Sequence, residues 1–110
     1  MKLFEENQIF EAYKFAAAGG QALHLFSDPG VFPGAPAVFK KSREAAHLLD
    51  QDRERLVDTA KNFGVRKIKV DHIGTKKQHI DLCGRPLRQA IKFAEGYKQY
   101  CIDAGIEISK

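Results

Sequence analysis

The alternation of apolar and polar positions divides the chain into short elements. Residues 5–18 place Ile9, Ala12, Tyr13, Ala16 and Ala17 at helical spacing, and Gly19-Gly20 is a stop. Residues 22–26 read as a short buried strand that ends at Ser27-Asp28, where Asp28-Pro29-Gly30 signals a turn. Residues 29–37 hold three of the four prolines with Gly30 and Gly34, a loop longer than most connections and of the kind that borders binding sites. The stretch 38–49 reads two ways: 42–46 as helix, or 46–49 as a strand feeding the next helix. That helix spans 51–63, with Asp50 as N-cap, Asp52 and Glu54 in the first turn, Leu56, Val57, Ala60 and Phe63 inward, and Gly64 as its end.

Residues 65–71 alternate as a strand, with Ile68 and Val70 on one face and Lys67 and Lys69 on the other, so one side is wet and the strand antiparallel or near an edge. A polar loop around Gly74 follows, then an extended piece at 79–82. Pro86 suits the first turn of a last helix with Leu87, Ala90, Ile91, Ala94, Tyr97 and Cys101 inward. Gly105 stops it, and 106–108 reads as a closing strand. This order predicts an α/β protein: one small domain over residues 1–110, a three- to five-stranded sheet packed with about three helices, and residues 1–20 as an N-terminal helical extension.

Composition removes several classes. Hydrophobic residues are 44% and charged residues 29% of the 110, an ordinary globular mixture. No apolar run approaches the roughly 20 residues of a membrane-spanning helix. Glu5 and Glu6 stand where a signal peptide needs an apolar stretch. The expectation is a cytoplasmic protein with no membrane partner, in which Cys83 and Cys101 are reduced thiols.

The net charge of +4 is unevenly spread. Residues 1–60 carry 7 basic and 9 acidic side chains; residues 61–110 carry 11 and 5. Between Lys61 and Lys92, nine basic residues face only Asp71 and Asp81. A solvated lysine-rich face accounts for this, and so does a surface for a phosphorylated or nucleic-acid ligand. The candidate anion-binding residues are Lys67, Lys69, Lys76, Lys77, Arg85 and Arg88. Aromatic residues are scarce in this stretch, which argues against base-stacking platforms.

Three segments resemble a bacterial family known as domain of unknown function 4031. Leu25-Phe26-Ser27-Asp28-Pro29 is similar to its first strand and loop. His47-Leu48-Leu49-Asp50, with the helix to Phe63-Gly64, is similar to its second segment. His79-Ile80-Asp81, followed by Arg85, Arg88 and Ala90, is similar to its third. The resemblance covers about residues 22–95. It departs at Ile80, where the family has an aromatic residue, in a His47 segment one residue shorter, and in the extra N-terminal helix. The family has no established activity, so the resemblance implies candidate positions and no reaction.

Four histidines supply the remaining chemistry: His24, His47, His72 and His79. His47, His72 and His79 lie close in sequence to Asp50, Asp71 and Asp81. If the strands align, His47, Asp71, His79 and Asp81 reach one rim as ligands for a divalent metal ion. His79 and Asp81 share a face of an extended segment and are the candidate catalytic pair. A metal there would serve phosphoester hydrolysis, with Lys76, Lys77, Arg85 and Arg88 on the phosphates. The plainer readings are local hydrogen bonds and helix caps, a packed strand-face His24, and Asp50 and Asp52 as caps. No Gly-x-Ser-x-Gly elbow and no phosphate-binding P-loop is present. Three functions stay open: an anion- or nucleic-acid-binding module, a metal-dependent hydrolase, and a subunit of a larger assembly using Val31-Phe32-Pro33.

Overall fold

A computed structural model describes residues 1–27 and 44–94. The 29–37 loop, Asp28, Tyr97, Cys101 and the closing strand at 106–108 lie outside the described residues.

The described residues form a four-stranded mixed sheet with helices on both faces, the expected α/β class. Strand β1 is Lys2–Phe4, followed by a 3-10 turn at Glu6–Gln8 and helix α1, Ile9–Ala17. Strand β2 is Gln21–Ser27, β3 is Glu44–Asp50, α2 is Arg53–Asn62, β4 is His79–Cys83 and α3 is Gly84–Phe93. The order across the sheet follows the sequence, with β1 parallel to β2 and the other pairs antiparallel. No described helix is long and apolar enough to cross a membrane.

Alternation sorts the strand residues onto two faces. Leu23, Ala46, Leu48, Ile80 and Leu82 pack with Leu56 and Ala60 of α2 and Leu87 and Ala90 of α3. On the other face, Phe4, Ala22 and Leu49 pack with Ala12 and Ala16 of α1. The second face also carries a polar row. The registers place Phe4 opposite His24, His24 opposite His47, and His47 opposite Asp81. Leucine and alanine thus build the core on one face, and the sheet displays its imidazoles on the other.

Three local assignments differ from the sequence reading and one open reading is resolved. Residues 2–4 form a strand where the pattern announced none; three residues are too few to show a period. The ambiguous 38–49 stretch resolves as strand from Glu44, because partners on both sides and burial outweigh the helical leaning of Ala45 and Ala46. The cap of α2 is Asp52, whose Oδ1 accepts from the Arg55 amide at 3.1 Å. Asp50 instead ends β3 as a buried carboxylate. The 65–71 strand is corrected to an irregular segment that pairs, among the described residues, only at Asp71, which exchanges two antiparallel backbone hydrogen bonds with His79 at 2.9 and 3.1 Å. Val65, Ile68 and Val70 do pack against the core while Lys67 and Lys69 stay exposed. Alternation there reports which side is buried; among the described residues no strand runs beside 65–70.

Gly84 carries the turn from β4 into α3 with φ at +58°, and an added Cβ would meet nothing within 4 Å. Gly84→Ala therefore isolates the conformational cost, about 1 kcal/mol. The expected result is a thermal midpoint a few degrees lower with unchanged secondary structure by circular dichroism.

Candidate metal centre

The site forms where β2, β3 and β4 present their polar residues in one row beyond the cover of α1. His24 is 3% exposed. Its Nε2 lies 2.9 Å from the Glu6 carbonyl oxygen and its Nδ1 lies 3.2 Å from Nδ1 of His47. A carbonyl only accepts, so His24 Nε2 carries a hydrogen and, in the neutral ring, Nδ1 is bare. His47 Nδ1–H then donates to it. That leaves the lone pair of His47 Nε2 facing Asp81, whose Oδ1 is 3.6 Å away.

His79 reaches the same point from β4. Its Nδ1–H donates to the Lys77 carbonyl at 2.6 Å, which turns Nε2 inward to 3.2 Å from Asp81 Oδ1 and 3.8 Å from Asp71 Oδ2. The two rings meet edge to face, centroids 4.6 Å apart. One ligand atom each from His47, His79 and Asp81 lies within 4.8 Å of the others. Asp81 Oδ1 is buried with no hydrogen-bond partner; the 3.2 Å approach of His79 is an ion-pair contact without hydrogen-bond alignment. A buried polar atom without a partner is costly, and such atoms often mark a site completed by a water or ion. Ligand atoms bonded to one ion at about 2.0–2.2 Å lie about 3.3 Å apart in tetrahedral geometry. The distances of 3.2 and 3.6 Å to Asp81 Oδ1 are close to that value.

Electrostatics keep His47 neutral. Burial, with added repulsion from His79, His24 and His72, lowers its pKa to about 4 against the pull of Asp81. Burial lowers His24 as well, partly opposed by the Glu6 carbonyl. For His79, burial lowers the pKa, but Asp81, the Lys77 carbonyl and Asp71 outweigh it and the net shift is upward. Burial raises Asp81, and the neighbouring His79, His47 and Lys69 bring it below the ordinary carboxylate value.

A pH dependence follows for the metal-free protein. Between the unfolded value of about 6.5 and the folded value of about 4, the unfolded chain binds the His47 proton and the folded chain does not. Stability therefore rises with pH through that window, by up to roughly 3 kcal/mol from this ring. Asp81 acts in the same direction at lower pH: its contribution is present above the unfolded value and lost as pH falls through the folded one. His79 opposes them, adding stability below 6.5 that is lost as pH rises through its folded value. Denaturant titrations from pH 7 to pH 4.5 are expected to show falling stability, with a shallower fall in His47→Phe.

Three of the four expected ligands are brought together. His47, His79 and Asp81 converge, and Asp71 stands beside them, its other oxygen 3.8 Å from Lys69 Nζ. Asp71, Asp81, Lys67 and Lys69 share a cavity of about 440 Å³ with Arg66, Ile80, Leu82 and Pro86. The other basic candidates lie elsewhere. Lys77 Nζ sits 5.6 Å from the centre of the Tyr13 ring, Lys76 is exposed on the loop, and Arg85 and Arg88 are exposed on α3. His72, at φ +55°, has its ring centroid 5.7 Å from that of His79. His24 is buried on a strand face as read, but its pairing with His47 was not foreseen. That contact depends on the β2–β3 register, for which no short motif exists.

No protein-family model, curated protein or solved structure matches the chain.

Proposed function

We propose that the chain binds one divalent first-row metal ion, Zn²⁺ in the first instance, through Nε2 of His47, Nε2 of His79 and a carboxylate oxygen of Asp81, and uses it to hydrolyse a phosphate ester. The observation that carries this reading is the convergence of those three groups around a buried Asp81 oxygen without a hydrogen-bond partner. Three protein ligands with a position left open is the arrangement of catalytic zinc, in contrast to the closed four-ligand structural site. Two imidazoles and one carboxylate also suit Fe²⁺ and Mn²⁺.

A bound ion would supply a Lewis acid and acidify a water toward neutral pH. Asp71 is the carboxylate that would accept that water's proton. Hydrolysis would form one P–O bond from water and break the ester P–O bond, the alcohol leaving with a proton from solvent. Lys67, Lys69 and Arg66 at the adjoining cavity offer positive charge to the phosphoryl oxygens. The buried free thiol of Cys83 suits a reducing cytoplasm. His47, His79 and Asp81 are also among the residues that carry the resemblance to domain of unknown function 4031.

Equilibrium dialysis against Zn²⁺, Mn²⁺ and Fe²⁺ with elemental analysis is expected to give one ion per chain. The loaded protein is expected to cleave p-nitrophenyl phosphate or its diester. Absence of any bound ion sinks the proposal; bound ion without cleavage of either ester removes the hydrolase and leaves an anion-binding metal protein.

A further inference from the structure

The row of imidazoles continues past the three ligands. His24 touches neither the ion position nor the open cavity, yet it is placed between a backbone carbonyl and the far nitrogen of His47. The planes of His24 and His47 differ by only 5°, with centroids 5.5 Å apart and the two Nδ1 atoms 3.2 Å apart. That combination describes two rings in one plane meeting nitrogen to nitrogen, and not two rings stacked face to face. The other side of His47 is covered by Phe26, nearly parallel at a centroid distance of 4.3 Å. The ring is thus held against rotation by an aromatic face and against a change of tautomer by an in-plane hydrogen bond.

We propose that His24 is a positioning residue for the metal ion. It accepts the Nδ1 hydrogen of His47 and so keeps the Nε2 lone pair aimed at the ion, with its own Nε2–H anchored on the Glu6 carbonyl. This rests on the metal reading above. The physical need is plain: a neutral imidazole divides its hydrogen between two nitrogens, and only the Nδ1–H form presents a ligand at Nε2. A ligating histidine ordinarily donates its other N–H to a carboxylate, a carbonyl or water; here the acceptor is a second histidine. His79 meets the same need with the Lys77 carbonyl.

The anchor is itself fastened. The Glu6 carboxylate accepts from the Ser27 amide at 3.2 Å and from the Ser27 hydroxyl at 3.0 and 3.1 Å. The turn that offers its carbonyl to His24 is thereby tied to the far end of β2. The N-terminal segment thereby supplies the acceptor that seats His24.

The test uses wild type, His24→Phe and His24→Gln. Glutamine has an N–H for the Glu6 carbonyl and an oxygen to accept from His47, whereas phenylalanine fills the space and does neither. Zn²⁺ affinity is expected to fall about 10- to 100-fold in His24→Phe and to stay within about threefold of wild type in His24→Gln. Long-range ¹H–¹⁵N spectra of the metal-free protein are expected to show His47 as the Nδ1–H tautomer in wild type and a mixture in His24→Phe. Equal affinity in wild type and His24→Phe overturns the proposal, as does a glutamine variant as weak as the phenylalanine one, which would mean packing alone. Should His24→Phe not fold, the wild-type spectrum still decides, because an Nε2–H His47 overturns the proposal. Wild type that binds no ion at all sinks the metal reading itself, a result distinct from any of these.

Discussion

Asp81→Asn is expected to weaken Zn²⁺ binding by about 100-fold or more while leaving the fold intact. The substitution keeps the shape of the side chain and removes the charge that makes its oxygen a strong ligand. The Asp81 carboxylate is the sole anionic member of the convergent set, and it lies within 3.6 Å of both imidazole Nε2 atoms. A purely structural role makes a different forecast. If Asp81 serves only as the ion-pair partner of His79, the amide should lower stability and leave metal binding as it was. Isothermal titration of both proteins with Zn²⁺, beside their melting curves, separates the two. Unchanged affinity in Asp81→Asn would rule out Asp81 as a ligand.

Asp50→Ala is expected to cause the largest loss of stability, about 2–3 kcal/mol and a thermal midpoint lower by about 10 °C. The carboxylate is 0% exposed. It accepts from Arg55 through Nε at 2.7 Å and Nη2 at 2.7 Å, from Gln21 Nε2 at 3.0 Å and from the Asp52 amide at 2.9 Å. Arg55 reaches on to the Gly19 carbonyl at 3.0 Å. One side chain thus joins the end of α1, the start of β2, the end of β3 and the first turn of α2. Alanine leaves a small void and takes the acceptor from the Asp52 amide, while Gln21 keeps Thr59 and the half-exposed Arg55 keeps Gly19 and turns to water, so the cost stays below that of a stranded buried charge. Asp52→Ala is the control: an exposed cap should cost only about 1 kcal/mol. Equal midpoints for the two variants would show that Asp50 is no more than a cap.

That pair of aspartates shows how far the chain can be read without coordinates. The helix that follows was legible from Leu56, Val57 and Ala60, and its stop from Gly64, because spacing and backbone freedom are local properties. Which aspartate caps it was not, since the burial of Asp50 is created by Gln21 and Arg55 from elsewhere in the chain. The site divides in the same way. His79 and Asp81 were legible as a pair because residues two apart on a strand share a face. Bringing His47 opposite Asp81, and His24 opposite His47, depends on strand registers that no motif encodes. Lys67 and Lys69 were read correctly as exposed, while of the strand assigned to them only the antiparallel pairing at Asp71 forms among the described residues. Their alternation reflects a half-buried segment resting on the core.

One edge strand of the sheet comprises residues 2–4, and the carbonyl that seats His24 belongs to Glu6. A single residue separates the two, so the sheet's margin and the seat of that imidazole share one anchor, and loosening the edge strand would slacken both together.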